Sequence, residues 1–313
     1  MVAICSKNSN VSRVLDIVIP VYNDNPYLDE TLKSIFTQKL PNGWRVNVYI
    51  VDDGSDEPVA IDNKCINIVR IEKNSGCSVA RNQGAIAGNG EVILFLDADC
   101  SLAKVSVLAL LLEEYEKGYD VCFGQIHAPQ GDFWAEYQND VAKERAVRFF
   151  QGERSSMTTQ IFMSNRQTFE SVGGFDEAYH FGFEDRDLFI TLVESGAKVS
   201  LVESAIVNHN DVLSLFSVTK KLYEAGKTSS VRFIEKHPFV YSQLAYAKAD
   251  ARSSSVLLNG LVILTWPILK PLVVIIDYCI TSVAIPYSVT KKLVKYVSGL
   301  YYLHGTYSAN KRK

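Results

Sequence analysis

Cysteine spacing is the first thing this chain lacks. Its six cysteines, Cys5, Cys65, Cys77, Cys100, Cys122 and Cys279, form no C-x-x-C pair. That excludes a zinc-ribbon spacing and reads as reduced thiols in a cytosolic compartment. A dominant charge is also missing. Thirty-two Lys and Arg face 35 Asp and Glu, for a net charge of −3, so no basic field recommends nucleic acid as a partner. Internal repeats and low-complexity segments are absent. The opening stretch MVAICSKNSNVSRV is too short and too polar for a secretory signal. No apolar run reaches the ~20 uninterrupted residues that span a bilayer. What is present is core material: 47% of the 313 residues are apolar, enough for one large α/β domain with an appendage, or for two domains.

The chain is organised around residues 91–99, EVILFLDAD. Five apolar residues, Val92 to Leu96, suit a strand buried on both faces of a mostly parallel sheet. Asp97 and Asp99 come directly after it. Ligands in such sheets bind beyond the carboxyl ends of the strands. Two readings stand for this D-x-D: a strand running into an acidic turn, or two acids gathered for a hard divalent cation.

The flanking sequence repeats the theme. Residues 16–21 (DIVIPV), 46–51, 66–71 and 121–126 read as further strands, with single helices between several of them. Asn25 and Pro26 look like a cap and a first-turn proline. Ser101 can cap the helix that carries Val105, Leu108, Leu111 and Leu112. Polar or acidic clusters sit just past three strands: Asn23-Asp24, Asp52-Asp53 and Asp97/Asp99. Their convergence on one sheet edge favours a site over solvated loops. After residue 130 the alternation stops. It gives way to a long helix over 132–151, a short strand over 159–163 and two glycines in TFESVGG. Glu184 and Asp185 open a helix, where its dipole favours negative charge, as a cap or as part of a site. A strand over 198–207 leads to His209, a structural histidine or a metal or phosphate contact.

Taken in order, DIVIPVYN, VDDGS, NSGCSVARNQG, FLDAD, GGFDE and GFEDRDL resemble the family 2 glycosyltransferases of the GT-A fold. The resemblance covers about residues 15–210. It implies an α/β fold, a mostly parallel sheet flanked by helices. It implies a catalytic domain over residues 1–212, with a nucleotide-binding half over about 15–128 and an acceptor half over about 129–212. It further implies a nucleotide-sugar donor, most often a UDP-sugar, and a divalent metal, Mn²⁺ or Mg²⁺. Asp52 or Asp53 would hydrogen-bond the base. The backbone at Pro20, Val21 and Tyr22 would line the base pocket, and Arg81 would face the nucleotide or its diphosphate. Asp97 would lie near ribose and metal, Asp99 would bind the metal, and His209 matches a position that helps hold it in some relatives. Asp185 would be the catalytic base of an inverting hexosyl transfer to a saccharide or lipid-linked hydroxyl in surface-glycan synthesis. The Q-x-x-R-W motif of processive synthases is absent, which implies one sugar per encounter. A sugar-phosphate nucleotidyltransferase is a weaker rival, because its Gly-rich basic loop is missing from VYNDNP. A non-catalytic nucleotide-sugar-binding module is the other rival.

The tail reads as a helical extension over residues 213–313. Its segments 256–269 and 271–287 are strongly apolar but are interrupted by Pro267, Lys270, Pro271 and Asp277. A core helix pair, a hairpin dipping into a membrane and helices lying in its interface all fit, the membrane forms best. Lys291, Lys292, Lys295 and Lys311-Arg312-Lys313 then point to the cytoplasmic face.

Overall fold

A computed structural model of the chain describes residues 13–23, 26–153, 156–252, 256–282 and 285–310. Most of the opening stretch, Asp24, the Asn25 cap and Lys311-Arg312-Lys313 lie outside the described residues.

The elements run β1 (Arg13–Val21), α1 (Leu28–Phe36), β2 (Trp44–Asp53), β3 (Ile66–Ile71), α2 (Cys77–Ala87), β4 (Val92–Leu96), β5 (Cys100–Leu102), α3 (Val107–Glu116), β6 (Val121–His127) and α4 (Phe133–Phe150). Next come β7 (Ile161–Asn165), α5 (Arg166–Ser171), α6 (Glu184–Glu194), β8 (Val199–His209), α7 (Leu215–Lys227), α8 (Ser229–Lys236) and α9 (Pro238–Gln243). A 3₁₀ turn (Ala245–Ala249), α10 (Val256–Ser282) and α11 (Tyr287–Asn310) complete the chain. Two compact units result. One holds the residues up to Gly131 with Gln138–Glu177 and Asp185–Asp211; the other holds Asp132–Tyr137, Ala178–Glu184 and Val212–Lys313.

In the first unit a single sheet has the order β3-β2-β1-β4-β7-β6-β8-β5. β3, β2, β1 and β4 are parallel neighbours, as the strand–helix alternation predicts. The other half of the sheet departs from that alternation. β7 enters antiparallel between β4 and β6, and the three-residue β5 pairs antiparallel with β8. Ser101 therefore lies in a strand, and Ser106 takes the N-cap position of α3. At α1 that position falls to Tyr27, so Pro26 precedes the helix.

The sheet is buried on both faces. Leu15, Ile17, Leu94, Leu111 and Met163 belong to one core cluster, Val18, Ile93, Phe95, Phe162 and Phe189 to the other. Phe95 and Phe162, paired across β4 and β7, stack at 5.7 Å. At the amino-terminal end of β1, Asp16 is fully buried. Its carboxylate accepts from Gly90 N (2.5 Å), Asn47 Nδ2 (2.9 Å) and Arg166 Nη2 (2.8 Å). A Cβ on Gly88 would stand 2.3 Å from Asp16 Oδ2, so a glycine there lets the chain pass.

The second unit is helical. Trp134, Leu215, Val273, Ile276, Val294 and Val297 form one core, and Val262, Leu269, Leu300 and Leu303 belong to another. Helices α7 and α11 touch backbone to backbone, since a Cβ on Gly305 would meet Tyr223 O at 2.2 Å. Tyr241, Asp250, Arg252 and Tyr302 share a hydrogen-bonded network, with Tyr241 Oη 2.6 Å from Asp250 Oδ2. The expected break at Pro267 and Pro271 does not occur: α10 runs through both. Both prolines are exposed, while Val262, Thr265, Leu269, Val273 and Ile276 bury the opposite face. That burial offsets the lost backbone bonds. Among the described residues, no helix is long and apolar enough to cross a membrane.

His304 gives this unit a pH signature. Its ring is buried, and Nε2 lies 2.9 Å from Thr265 Oγ1. Burial pushes its pKa down from 6.5 to about 4. The folded state then refuses a proton that the unfolded state takes. The contribution of His304 to stability is complete above pH 6.5 and is lost as pH drops from there towards 4. The loss at low pH is on the order of 3 kcal/mol. Chemical denaturation between pH 7 and pH 4 measures it, and His304→Gln should flatten that part of the slope.

Candidate active site

The carboxyl ends of β1, β2 and β4 carry most of the residues singled out from sequence, and Arg81, Asp185 and His209 come from α2, α6 and β8. Val21 closes β1 buried, Pro20 is half-buried, and Tyr22 is exposed. Asn23 then adopts φ +57°; its N donates to Ser55 Oγ (2.7 Å) and its Oδ1 accepts from Asp56 N (3.0 Å). The exits of β1 and β2 are stitched together. Gly54 takes φ +75°, and a Cβ on it would meet Lys73 C at 2.4 Å, so that position requires glycine twice over.

The two acids ending β2 differ. Asp52 is fully buried and accepts from Ser55 N (2.9 Å), Val59 N (3.1 Å) and Arg70 Nη1. Burial alone would raise its pKa, but these hydrogen bonds hold it below the usual carboxylate range. Asp53, 4% exposed, accepts Ser75 N and Gly76 N, each at 2.8 Å. There burial prevails, helped by the neighbouring Asp52, and the pKa is raised. Both acids shape the loops that frame the sheet edge.

Helix α2 delivers Arg81, 4% exposed, whose Nη2 donates to Asp97 Oδ1 at 2.8 Å. Its guanidinium also lies 5.3 Å from the Phe175 ring centre. One turn-mate, Asn82, donates to Phe175 O (2.9 Å) and Glu177 Oε1 (3.0 Å) and accepts from Phe175 N (3.0 Å). These bonds join the sequence motifs NSGCSVARNQG and GGFDE at the same edge.

Beyond β4 the chain turns, with Cys100 N donating to Asp97 O at 3.0 Å, and enters β5. Cys100 and His209 face each other across the β5–β8 ladder. His209 is the buried last residue of β8, not a loop residue past it. Its Nε2 lies 3.4 Å from Asp99 Oδ2, and Cys100 Sγ lies 3.5 Å from Asp99 Oδ1. The ligand atoms of Asp99, Cys100 and His209 fall within 4.8 Å of one another. His209 Nδ1 is buried without a hydrogen-bond partner among the described residues. Although burial opposes it, Asp99 pulls the imidazole pKa up, so the acids demand a positive charge here. In return His209 holds Asp99 low against its own burial, whereas burial raises Asp97 against the nearby Arg81. The Asp99 carboxylate and the His209 imidazole suit a divalent cation, whereas burial pushes the Cys100 thiol pKa well up and keeps its proton on.

Asp185 sits in the first turn of α6. Its Oδ1 accepts from Arg186 N at 2.7 Å, and no hydrogen bond joins it to the Asp97–Asp99–His209 cluster among the described residues. Sequence reading missed Cys100. Its adjacency to Asp99 in DADC was the one local clue, because the pairing with His209 is long-range.

A parallel half-sheet with acids at its carboxyl edge, completed by an antiparallel β7, defines the GT-A glycosyltransferase fold. The family model described as "Glycosyl transferase family 2" matches residues 16–175, and one described as "N-terminal domain of galactosyltransferase" matches residues 145–212. The chain belongs to the family 2 glycosyltransferases. It is 28% identical over 244 residues to the pre-mycofactocin glycosyltransferase of Mycobacterium tuberculosis, covering 72% of this chain and 48% of that protein. It is 27% identical over 220 residues to an N-acetylglucosaminyltransferase of a Rhizobium species, covering 61% and 47%. The chain thus spans about half the length of these curated relatives. Among solved structures, a mannosyltransferase from Pyrobaculum calidifontis in complex with GDP-Man and Mn²⁺ aligns with TM-score 0.58 at 14% identity, over 98% of this chain and 91% of that one. GalNAc-T7 with UDP, GalNAc and Mn²⁺ aligns with TM-score 0.57 at 19% identity, over 93% and 55%.

Proposed function

We propose that this protein moves one sugar from a nucleotide-sugar donor to a hydroxyl acceptor, with inversion and with a divalent metal ion. The observation that carries the proposal is the convergence of Arg81–Asp97 and Asp99–His209 on one sheet edge. Asp99 and His209 would hold the ion, with Asp97 beside them and the Cys100 thiol within reach. The bound ion supplies charge neutralisation for the departing nucleoside diphosphate.

The chain's own groups have separable tasks. Asp52 is fully buried and its Oδ2 already accepts both Val59 N and Arg70 Nη1, whereas each Asp53 oxygen accepts one backbone N–H and keeps a second lone pair. Asp53 is therefore the better placed of the two for a base N–H. The Pro20–Tyr22 backbone lies on the neighbouring strand exit and would line the base pocket. Arg81 fixes Asp97 through a charge-assisted bond and contributes positive potential to the diphosphate. At Asp185 the Arg186 N–H engages Oδ1, which leaves Oδ2 to take the acceptor's proton. The acceptor favoured is a saccharide or lipid-linked hydroxyl, on the strength of the apolar tail.

A thermal-shift panel of nucleoside diphosphates and nucleotide sugars, UDP and GDP forms included, tests this. Because the ligand binds only the folded state, saturation at 100 times Kd should stabilise by about 2.7 kcal/mol. The shift should require Mn²⁺ or Mg²⁺, vanish with chelator and be lost in His209→Ala. No shift with any nucleotide, on folded protein, would overturn the reading, whereas a shift without turnover would favour the non-catalytic nucleotide-sugar-binding module.

A further inference from the structure

Helix α10 is apolar on both sides, and only one side is accounted for. The buried stripe of Val262, Leu269, Val273 and Ile276 belongs to the helical unit's core. The opposite stripe, Leu264, Ile268, Pro271, Val274, Ile275 and Tyr278, is exposed, with Leu264 at 73% and Val274 at 68%. Its steps of four, three, three, one and three residues keep one face of the helix. At 1.5 Å per residue this face runs about 21 Å. Water-facing aliphatic and aromatic side chains in an unbroken stripe mark a binding surface, because scattered exposed residues would not keep a period.

Charge selects the occupant. Lys270 is exposed on the same helix. The single acid of α10, Asp277, is half-buried, and its Oδ1 accepts Leu215 N at 3.1 Å. Helix α11, 24 residues long, contains no Asp or Glu, and it exposes Val289, Leu293 and Tyr296 beside Lys292 and Lys295. Apolar stripes flanked by lysines and free of exposed carboxylates complement a surface that is greasy below and anionic above. A second copy of the chain would bring lysine against lysine. We propose that the exposed faces of α10 and α11 dock in the interface of a bilayer leaflet rich in anionic lipid, with the lysines at headgroup level.

The test is vesicle co-flotation of the full chain with phosphatidylcholine alone and with phosphatidylcholine/phosphatidylglycerol, alongside sedimentation of the free protein. The chain should float with the anionic vesicles, and 0.5 M salt should weaken that binding. Lys270→Glu/Lys292→Glu should reduce partition by at least about fivefold per lysine. Ile268→Glu/Ile275→Glu should reduce it by about tenfold or more while circular dichroism and thermal midpoint hold, since both side chains are already in water. Folded wild-type protein that floats with neither vesicle overturns the proposal, as does unchanged flotation of the isoleucine variant. Concentration-dependent dimerisation abolished by the isoleucine variant, without vesicle binding, also overturns it and assigns the face to a second copy. None of these readouts involves nucleotide or sugar, so they stand apart from the proposed reaction.

Discussion

Asp185→Asn should lower turnover by about 10²–10⁴-fold, the range a positioned general base contributes, while nucleotide binding stays intact. The substitution is a clean one. The asparagine carbonyl can still accept the Arg186 N–H that now holds Oδ1 at 2.7 Å, so α6 keeps its first turn. What disappears is an oxygen able to accept a proton. Among the described residues the carboxylate shares no hydrogen bond with the Arg81–Asp97 or Asp99–His209 pairs. Metal-dependent thermal stabilisation by nucleotide should therefore match the wild type. Initial rates of nucleoside diphosphate release with acceptor present make the comparison. Activity equal to the wild type would remove Asp185 from the chemistry and send the search for the base elsewhere.

The largest expected stability effect lies at the other end of the sheet. Asp16→Asn should cost about 3–5 kcal/mol, the usual penalty for stripping one partner from a buried ion pair. Three donors converge on Asp16: Gly90 N, Asn47 Nδ2 and Arg166 Nη2. A carboxylate can accept all of them, whereas an amide must turn its NH₂ group towards one. The Arg166 guanidinium keeps its bonds to Gly90 O (2.5 Å) and Ala85 O (2.6 Å) but loses its buried counter-charge, leaving only the exposed Glu170 at 3.4 Å. Urea unfolding measures the loss. The companion variant Asp16→Leu/Arg166→Met should recover part of it, because replacing both charges leaves neither stranded. A cost below about 1 kcal/mol for Asp16→Asn would show that water reaches the pair.

The sequence spoke most clearly where structure is local. Short apolar runs, several of them separated by single amphipathic helices, placed β1, β2, β3, β4 and β6, and the acids ending β2 and following β4 pointed to the edge where the Arg81–Asp97 and Asp99–His209 pairs lie. The short strand over 159–163 was legible as β7, but its antiparallel place between β4 and β6 was not, because that is decided by long-range pairing. Strand β5 is too short to carry a period, so Ser101 read as a helix cap. Cys100 read as one scattered thiol until its register opposite His209 set it beside Asp99. Asp52 and Asp53 were legible as a site-edge pair, yet nothing in VDDGS said that the first would be consumed by Arg70 and its own loop. In the tail, Pro267 and Pro271 argued for two segments. A buried stripe on the opposite side of the helix outweighed them.

The insertion of β7 also fixes when the molecule can become whole. Synthesis proceeds from the amino terminus, so β1, β2, β3 and β4, parallel neighbours in the finished sheet, emerge before its other strands. These four strands end in an open edge along β4, which only β7 covers among the described residues, and β7 emerges after β5, α3, β6 and α4. Meanwhile β6 has no strand neighbour among the described residues except β7 and β8, so the second half of the sheet cannot assemble ahead of them. The nascent chain therefore carries an unpaired, wholly apolar strand edge through a long stretch of its own translation, the condition in which chaperones are most needed. The Asp99–His209 pair forms later still, because His209 is the last residue of β8. A polypeptide released before that point has the fold's acids in place and no histidine to meet them.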